Sequence, residues 1–262
     1  MEKVKVFLSD PQILFREGIH FILSGEDDFE VTGETTSNED AFKLIEANPP
    51  NIAILSMRNG KYTGPQITRR IRRTLPSVAI ILISEVDDEE QLFLAIKSGA
   101  SACINKDVDP DFLLDIIRVV AQGSQPIIED LLIPGIASRI LVGFDDIATL
   151  NEQLDNLLAD LTTKEREILS NIAAGNSIDQ IADNLDIKEE AIRRNLRLIL
   201  NKLVANDHAR GVIEAAQRSL PSIIRGGANM GNAAADYVSK TEFDEFKSSL
   251  MEQLKSILKE KS

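Results

Sequence analysis

The sequence contains few of the side chains that form disulfide bonds or hold metal ions. Its 262 residues include one cysteine, Cys103, and two histidines, His20 and His208. A single cysteine excludes a disulfide framework and a cysteine-based zinc site, and it is typical of a protein from a reducing cytosol. The two histidines are far apart and lack the spacing of metal ligands. We therefore expect neither a metal site nor a cofactor, and no constellation of residues indicates an enzyme.

Long apolar segments are also missing. No apolar run approaches the roughly 18 residues that a membrane-spanning helix needs. The N-terminal residues, MEKVKV, lack the apolar region and the small-residue cleavage site of a secretory signal. We expect a cytoplasmic protein that has no membrane partner.

Basic residues are outnumbered by acidic ones. The chain has 29 Lys and Arg against 42 Asp and Glu, a net charge of −13. Because phosphate affinity comes from concentrated Lys and Arg, this total argues against nucleic acid as a partner. The charge is unevenly distributed, however: residues 1–160 carry a net −13, residues 161–230 a net +1 and residues 231–262 a net −1. Between Ala191 and Ser219 the net charge is +4, so the total does not exclude a DNA-binding segment.

Short apolar runs alternate with helical patterns over residues 1–122. This alternation indicates β-α units on a parallel sheet, and five units in about 120 residues predict an α/β, flavodoxin-like (βα)5 domain. The predicted strands are Val4–Leu8, Phe29–Val31 with its flank, Ile52–Leu55, Val78–Ile83 and Ala102–Ile104. Apolar residues with a period near 3.6 predict helices that include Ile13–Leu23, Ala41–Ile45, Gln91–Ile96 and Phe112–Val120.

Residues 123–160 are predicted to be a linker that contains one helix. Pro134-Gly135 interrupts an apolar stretch, and an apolar stripe indicates a helix from Asp145 to Asp160. Residues 161–220 are predicted to form an all-α domain. Capping residues indicate that Thr162 or Thr163 begins its first helix and that Ser177 begins its second. A segment from Glu189 to Leu203 follows, and His208 is predicted to open a last helix.

Residues 221–238 are glycine-rich and have the composition of a flexible linker. Residues 239–262 predict a C-terminal amphipathic helix. Because an isolated helix of about 20 residues is marginal in water, its apolar stripe must be buried against something. A coiled coil between protomers is our favoured interpretation, packing on the chain's own domains is close behind it, and membrane binding is weaker. The stripe, a candidate oligomerisation site, consists of Phe243, Phe246, Leu250, Leu254 and Ile257.

The segment from Glu189 to Leu203 has a basic face. Arg193 and Arg197 are four residues apart and share a face of an ideal helix, while Arg194 lies about 100° from Arg193. Guanidinium groups can bond bidentately to phosphate or to guanine in the major groove, although a merely solvated face is the commoner case for a random helix. The opposite, core-facing stripe is predicted to be Ile192, Leu196, Ile199, Leu200 and Leu203.

Several submotifs of residues 161–220 stand in the order and spacing of a known DNA-binding domain. They are LTTKEREIL at 161–169, AAGNS at 173–177, QIADNL at 180–185, IRRN at 192–195 and the pair Lys202-Leu203. Together they resemble the LuxR-type helix-turn-helix signature over about 55 residues. The resemblance implies that Asp186 to Lys188 begins the recognition helix, and that the arginines just described enter the major groove. The candidate DNA-binding residues are Lys188, Arg193, Arg194, Arg197 and Lys202.

The first 122 residues resemble the receiver domain of NarL/FixJ-type response regulators. The residues that carry this resemblance are LFREG at 14–18, RRIR at 69–72, GAS at 99–101 and Lys106-Asp107. The resemblance implies a phosphoryl-accepting Asp at the end of the third strand. It also implies Mg²⁺ held by that Asp and an acidic pair after the first strand.

Most of this phosphorylation site is degenerate. The third strand ends in Ser56, and the acidic pair reads Asp10-Pro11, so a metal ligand is replaced by a residue without a side-chain oxygen. Ser84 and Lys106 remain. A serine hydroxyl without an activating base is a poor acceptor. We therefore predict a pseudo-receiver that is not phosphorylated on aspartate, in which Asp10 and Lys106 form a structural ion pair; phosphorylation of Ser56 by a serine kinase is a remote alternative.

The sequence thus predicts a transcriptional regulator that binds double-stranded promoter DNA, forms a homodimer or a higher homo-oligomer, and acts without phosphorylation control. The acidic cluster at residues 85–90 and the basic cluster at residues 69–73 are candidate surfaces for a protein partner of the receiver, although solvated faces are commoner. The alternative function is an interaction adaptor that uses the pseudo-receiver and the C-terminal helix, with weak or absent DNA binding.

Overall fold

Five parallel strands form one sheet in the N-terminal part of the chain. The computed structural model describes residues 3–58, 62–153 and 158–219, and for residues 147–153 and 212–219 it describes the backbone alone. The strands are β1 (Val4–Ser9), β2 (Phe29–Thr35), β3 (Ile52–Ser56), β4 (Ala79–Ser84) and β5 (Ala102–Asn105). Their order in the sheet is β2-β1-β3-β4-β5, and every neighbouring pair is parallel. The predicted (βα)5 topology is confirmed.

Five helices alternate with these strands. They are α1 (Ile13–Ser24), α2 (Asn38–Ala47), α3 (Gly64–Thr74), α4 (Glu89–Ser98) and α5 (Pro110–Ala121). Side chains of Ser37, Thr63, Asp88 and Asp109 accept hydrogen bonds from the first free N–H groups of α2 to α5. Apolar side chains of α1 and α5 share one buried core with the strands. Helix α3 packs against both α2 and α4. Strands that are covered by helices on both faces are apolar on both sides.

The predicted linker after the five-stranded domain is more structured than its sequence indicates. A 3-10 helix spans Pro126–Leu132, and α6 (Pro134–Gln153) begins 11 residues before the predicted start at Asp145. The predicted helix start at Asp145 is therefore wrong. The helix begins at Pro134, in the pair that interrupts the apolar stretch, because proline is favoured in the first turn of a helix, where its missing N–H needs no partner. The apolar residues Ile136, Ile140 and Phe144 of α6 are fully buried.

Three helices form the C-terminal part of the structure: α7 (Thr163–Ala173), α8 (Ile178–Leu185) and α9 (Glu189–Ser219). Thr162 and Ser177 begin α7 and α8 as predicted, each through a capping box. The predicted break near His208 is wrong, since α9 is continuous from Glu189 to Ser219. The predicted recognition helix begins at Glu189 rather than at Asp186, because Asp186 adopts a left-handed conformation, with φ of 50°, and ends α8.

The chain divides into two compact units, Met1–Phe144 with Leu161–Val204, and Asp145–Asp160 with Ala205–Ser262. Within the second unit, the Asn206 side chain makes two hydrogen bonds with the backbone of Ala159, as donor at 2.7 Å and as acceptor at 2.9 Å. No helix among the described residues is both long enough and apolar enough to span a membrane. The predicted C-terminal helix, with its stripe from Phe243 to Ile257, lies outside the described residues.

Candidate phosphoryl-transfer pocket and nucleic-acid interface

The predicted pocket residues meet at the carboxyl edge of the sheet. Asp10 follows β1, Ser56 ends β3, Ser84 ends β4 and Lys106 follows β5. Because parallel strands end at the same edge, these four side chains come together there, as the sequence predicts. Asp10, Ser56 and Ser84 are almost fully buried, with relative exposures of 4%, 1% and 6%.

Lys106 is bound by carboxylates of the chain itself. Its ammonium nitrogen lies 2.9 Å from Asp10 Oδ2 and 3.1 Å from both Asp10 Oδ1 and Glu85 Oε1. It also lies 4.8 Å from the centre of the Phe15 ring. Gln12 completes the cluster by donating from its backbone to Asp10 Oδ1 at 2.8 Å and from its side chain to Glu85 Oε1 at 3.0 Å. The predicted ion pair between Asp10 and Lys106 is confirmed, while Gln12 and Glu85 are additions that the sequence analysis missed.

The remaining oxygens of the pocket do not make a magnesium site. Pro11 has no side-chain oxygen, and the Asp10 carboxylate is already paired with Lys106. The Ser56 hydroxyl donates to the carbonyl of Arg58 at 3.1 Å, and the Ser84 hydroxyl donates to the carbonyl of Val86 at 2.7 Å. Since Mg²⁺ requires several hard oxygen ligands in octahedral geometry, the residues present do not fit this ion.

Tight packing surrounds the end of β3. The fully buried Asn38 donates to the carbonyls of Ser56, at 3.1 Å, and Tyr62, at 3.2 Å, and accepts from the Ser9 hydroxyl at 3.0 Å. A Cβ atom at Gly64 would lie 2.6 Å from the Ser56 carbonyl oxygen, so only glycine fits there without a backbone shift. Neither Asn38 nor Gly64 has a local sequence signal for this role. The polar groups around Ser56 are therefore satisfied by the protein itself.

The first half of α9 has the amphipathic arrangement that the sequence predicts. All five predicted core residues are at most 2% exposed, namely Ile192, Leu196, Ile199, Leu200 and Leu203. Arg194 and Arg197 are exposed on the opposite side. Lys188, in the turn before α9, is also exposed. The structure thus brings Arg194 and Arg197 to one accessible face of the helix.

Arg193 has an intramolecular carboxylate partner. Its Nη1 atom lies 2.6 Å from Glu129 Oε1 and 2.5 Å from Glu129 Oε2, in the 3-10 helix of the linker. Hydrogen bonding and charge attraction by Glu129 raise the pKa of Arg193 above its usual value. Glu189 is more distant, with 4.0 Å between its Oε2 and Nη2 of Arg193. This pairing has no signal in the sequence, because Glu129 and Arg193 are 64 residues apart.

Lys202 points toward the interior rather than toward the exposed face. Its ammonium lies 2.7 Å from Oε2 of Glu165, which is 2% exposed and accepts a hydrogen bond from the backbone of Thr162. Burial raises the pKa of Glu165, but hydrogen bonds from Lys202 and Thr162 outweigh it, and the pKa is lowered overall. A stabilising role accounts for this geometry, and the DNA contact of Lys202 stays a prediction.

Two family models match the chain in the order that the fold shows. Residues 6–118 match the response regulator receiver domain, and residues 159–215 match the bacterial regulatory proteins of the luxR family. The chain is 31% identical over 221 residues to the transcriptional regulatory protein DegU of Brevibacillus brevis. This match covers 81% of this chain and 93% of that protein. It is 30% identical over 209 residues to a nitrate/nitrite response regulator homologue of Haemophilus influenzae, covering 80% and 93%.

Solved structures include a similar receiver. The signal receiver domain of a response regulator from Mycobacterium tuberculosis is 30% identical to this chain and has a TM-score of 0.46. The match covers 47% of this chain and 99% of that domain.

Proposed function

Because the chain belongs to the LuxR-type response regulators related to NarL, with a receiver and a GerE-type helix-turn-helix domain, we propose that it regulates transcription as a DNA-bound homodimer without aspartyl phosphorylation. The DNA-binding function follows from the family. The independence from phosphorylation and the dimeric state are proposals about this chain. The alternative of an adaptor without DNA binding is disfavoured, since Arg194 and Arg197 are exposed on the helix that matches the family's recognition helix.

The carboxyl edge of the sheet carries the proposal on phosphorylation. Aspartyl phosphorylation depends on a carboxylate acceptor and on cations that neutralise the transferred group. Here Ser56 occupies the acceptor position, is 1% exposed and has its hydroxyl directed to a backbone carbonyl. Lys106, which would otherwise meet the incoming charge, is bound by Asp10 and Glu85. The pocket therefore supports a fixed structural state rather than a chemical switch.

The experiment is incubation of the full chain with acetyl phosphate and Mg²⁺, followed by intact-mass measurement, with a parallel titration of beryllofluoride observed by fluorescence or NMR. We expect no phosphoryl adduct and no Mg²⁺-dependent change. A receiver that retains the acceptor Asp is the positive control for the reagents. A stoichiometric adduct would overturn the proposal, and its loss in Ser56→Ala would assign it to the serine.

The dimeric state follows from how helix-turn-helix proteins read DNA. Their recognition helices bind repeated half-sites, and two linked helix-turn-helix domains bind DNA more tightly than one does. The acidic receiver region adds to this requirement because its charge disfavours non-specific association with DNA. Without phosphorylation, we expect the regulatory signal to come from a protein partner that binds the receiver surface. The basic cluster at residues 69–73 and the acidic cluster at residues 85–90 are the candidate binding surfaces.

A further inference from the structure

One large apolar side chain of the recognition helix is directed to solvent. In the first half of α9, Leu198 is 45% exposed, whereas Ile192, Leu196 and Ile199 are fully buried. Single exposed leucines are common on protein surfaces and need no explanation by themselves. The position of Leu198 on this particular helix is what gives it meaning.

Leu198 belongs to the same face as the exposed arginines. At about 100° per residue, Leu198 lies roughly 40° around the helix from Arg194 and roughly 100° from Arg197. Leu196, a core residue, lies about 160° from Arg194 on the far side. Arg194, Arg197 and Leu198 therefore form one accessible surface that combines two guanidinium groups with one aliphatic group.

The major groove of DNA offers one kind of apolar group to such a surface. Every base-pair edge there presents hydrogen-bond donors or acceptors, and thymine alone adds a C5-methyl group. A leucine cannot bond to phosphate, and placing it against polar base edges would remove their water without replacing the hydrogen bonds. The favourable neighbour for Leu198 in the groove is consequently a thymine methyl.

Helix geometry also limits where this thymine lies. Residues 194 and 198 are separated by four rises of about 1.5 Å, or about 6 Å along the helix axis. Base pairs repeat every 3.4 Å or so along DNA, so the two side chains reach positions about two base pairs apart or closer.

We propose that Leu198 is a specificity-determining residue that recognises the C5-methyl group of a thymine, within about two base pairs of the base that Arg194 contacts. This inference rests on the proposed reading of DNA by the exposed face of α9. Arginine supplies the hydrogen bonds to guanine or phosphate, and Leu198 adds selectivity for thymine over the other bases. Burying one methyl group corresponds to an affinity change of about four-fold.

The test combines a protein variant with a DNA analogue. Sites are first selected from random duplex DNA with the full chain, and each thymine of the half-site is then replaced in turn by deoxyuridine, which lacks the methyl group and keeps the hydrogen-bonding atoms. We expect the wild-type protein to lose about four-fold in affinity at one thymine per half-site. Leu198→Ala should bind the original site more weakly and be insensitive to uridine at that thymine.

Leu44→Ala is the matched control, because Leu44 is 46% exposed on α2, outside the DNA-binding helix. It should keep both the wild-type affinity and the uridine effect. If the uridine effect persists in Leu198→Ala, or if no thymine shows one, the inference about Leu198 is wrong while DNA reading stands. If the wild-type protein selects no site at all, the proposed DNA reading itself fails.

Discussion

At the scale of single residues, one of the candidate DNA-binding arginines, Arg193, already pairs with a carboxylate of the chain. Arg193 is 41% exposed and Glu129 is 55% exposed, and the carboxylate oxygens of Glu129 both lie against one guanidinium nitrogen. DNA must displace Glu129 before Arg193 can contact phosphate or a base edge. Because exposed ion pairs are worth at most about 1 kcal/mol, this competition reduces DNA affinity without abolishing it.

Glu129→Gln is expected to strengthen DNA binding by up to about five-fold, since it removes the competing charge and keeps the size of the side chain. Titration of labelled duplex DNA at fixed salt measures the effect. In an Arg193→Ala background the gain should disappear, because there is no guanidinium left to release. An equal gain in both backgrounds would mean that Glu129 acts through general repulsion of DNA, contrary to the pairing.

Residue-level features could be predicted only where the fold family or the helical period fixes them. The Asp10–Lys106 pair and the outward direction of Arg194 and Arg197 follow from strand ends and from a period of 3.6. The partners Glu85 and Glu129 could not be predicted, because each is brought to its cation by tertiary packing across 21 and 64 residues. Lys202 was predicted from the motif to contact DNA, but its side chain is paired with the buried Glu165.

At the scale of elements, the 3-10 helix of the linker contains a carboxyl group in an unfavourable environment. Asp130 is largely buried there, and burial together with the neighbouring Glu129 raises its pKa from 3.8 to about 6. Asp130 in turn contributes, after burial, to raising the pKa of Cys103 in β5 to about 12. The Cys103 thiol is consequently protonated at neutral pH, which is consistent with a packing residue.

The raised pKa of Asp130 makes stability depend on pH in a defined direction. Between about pH 4 and pH 6 the folded state binds a proton at Asp130 that the unfolded state does not. The free energy of unfolding therefore decreases as the pH rises from about 4 to about 6. Above that range the charged form costs up to about 3 kcal/mol. Asp130→Asn should therefore stabilise the protein clearly more at about pH 7.5 than at about pH 4.5, as measured by urea unfolding.

Asp115→Asn is the control for this pH effect, because Asp115 is 75% exposed on α5. It should show no comparable difference between the two pH values. Equal stability of wild-type protein and Asp130→Asn at about pH 7.5 would contradict the raised pKa.

The type of each strand and helix could be predicted from the sequence, but its first and last residues were predicted less well. All five strands are predicted because each is a compact apolar run, yet each continues into polar residues, such as Ser56 and Ser84, that periodicity does not detect. The start of α6 at Pro134 was missed because proline both begins and interrupts helices. The continuity of α9 beyond Leu203 was missed because the polar residues that follow resemble a boundary.

At the scale of the whole molecule, charge and assembly are connected. Residues 1–160 carry a net charge of −13, the same as the whole chain, whereas residues 191–219 in α9 carry a net +4. The proposed homodimer would therefore need an interface at which the two negatively charged copies repel each other little. The predicted helix of residues 239–262 has balanced Lys and Glu beside an apolar stripe, which suits a coiled coil.

Removal of residues 226–262 is expected to convert a dimer into a monomer. It should also weaken binding to paired half-sites by at least ten-fold, because two linked helix-turn-helix domains no longer bind the DNA together. Multi-angle light scattering and DNA titration measure the two effects. Leu250→Asp in the full chain is a less disruptive version, since it places a charge in the apolar stripe. An unchanged dimer mass in both variants would assign assembly to another surface.

The ion-pair cluster at the carboxyl edge has an evolutionary consequence. Restoring an acceptor by Ser56→Asp would add a carboxylate to an edge that already holds Asp10 and Glu85, without returning an oxygen at Pro11. The first mutational step back would therefore cost stability through like-charge repulsion and burial before any chemistry was regained. Ser56→Asp alone is therefore expected to lower stability without creating a working phosphorylation site, so regaining that chemistry would require several substitutions together.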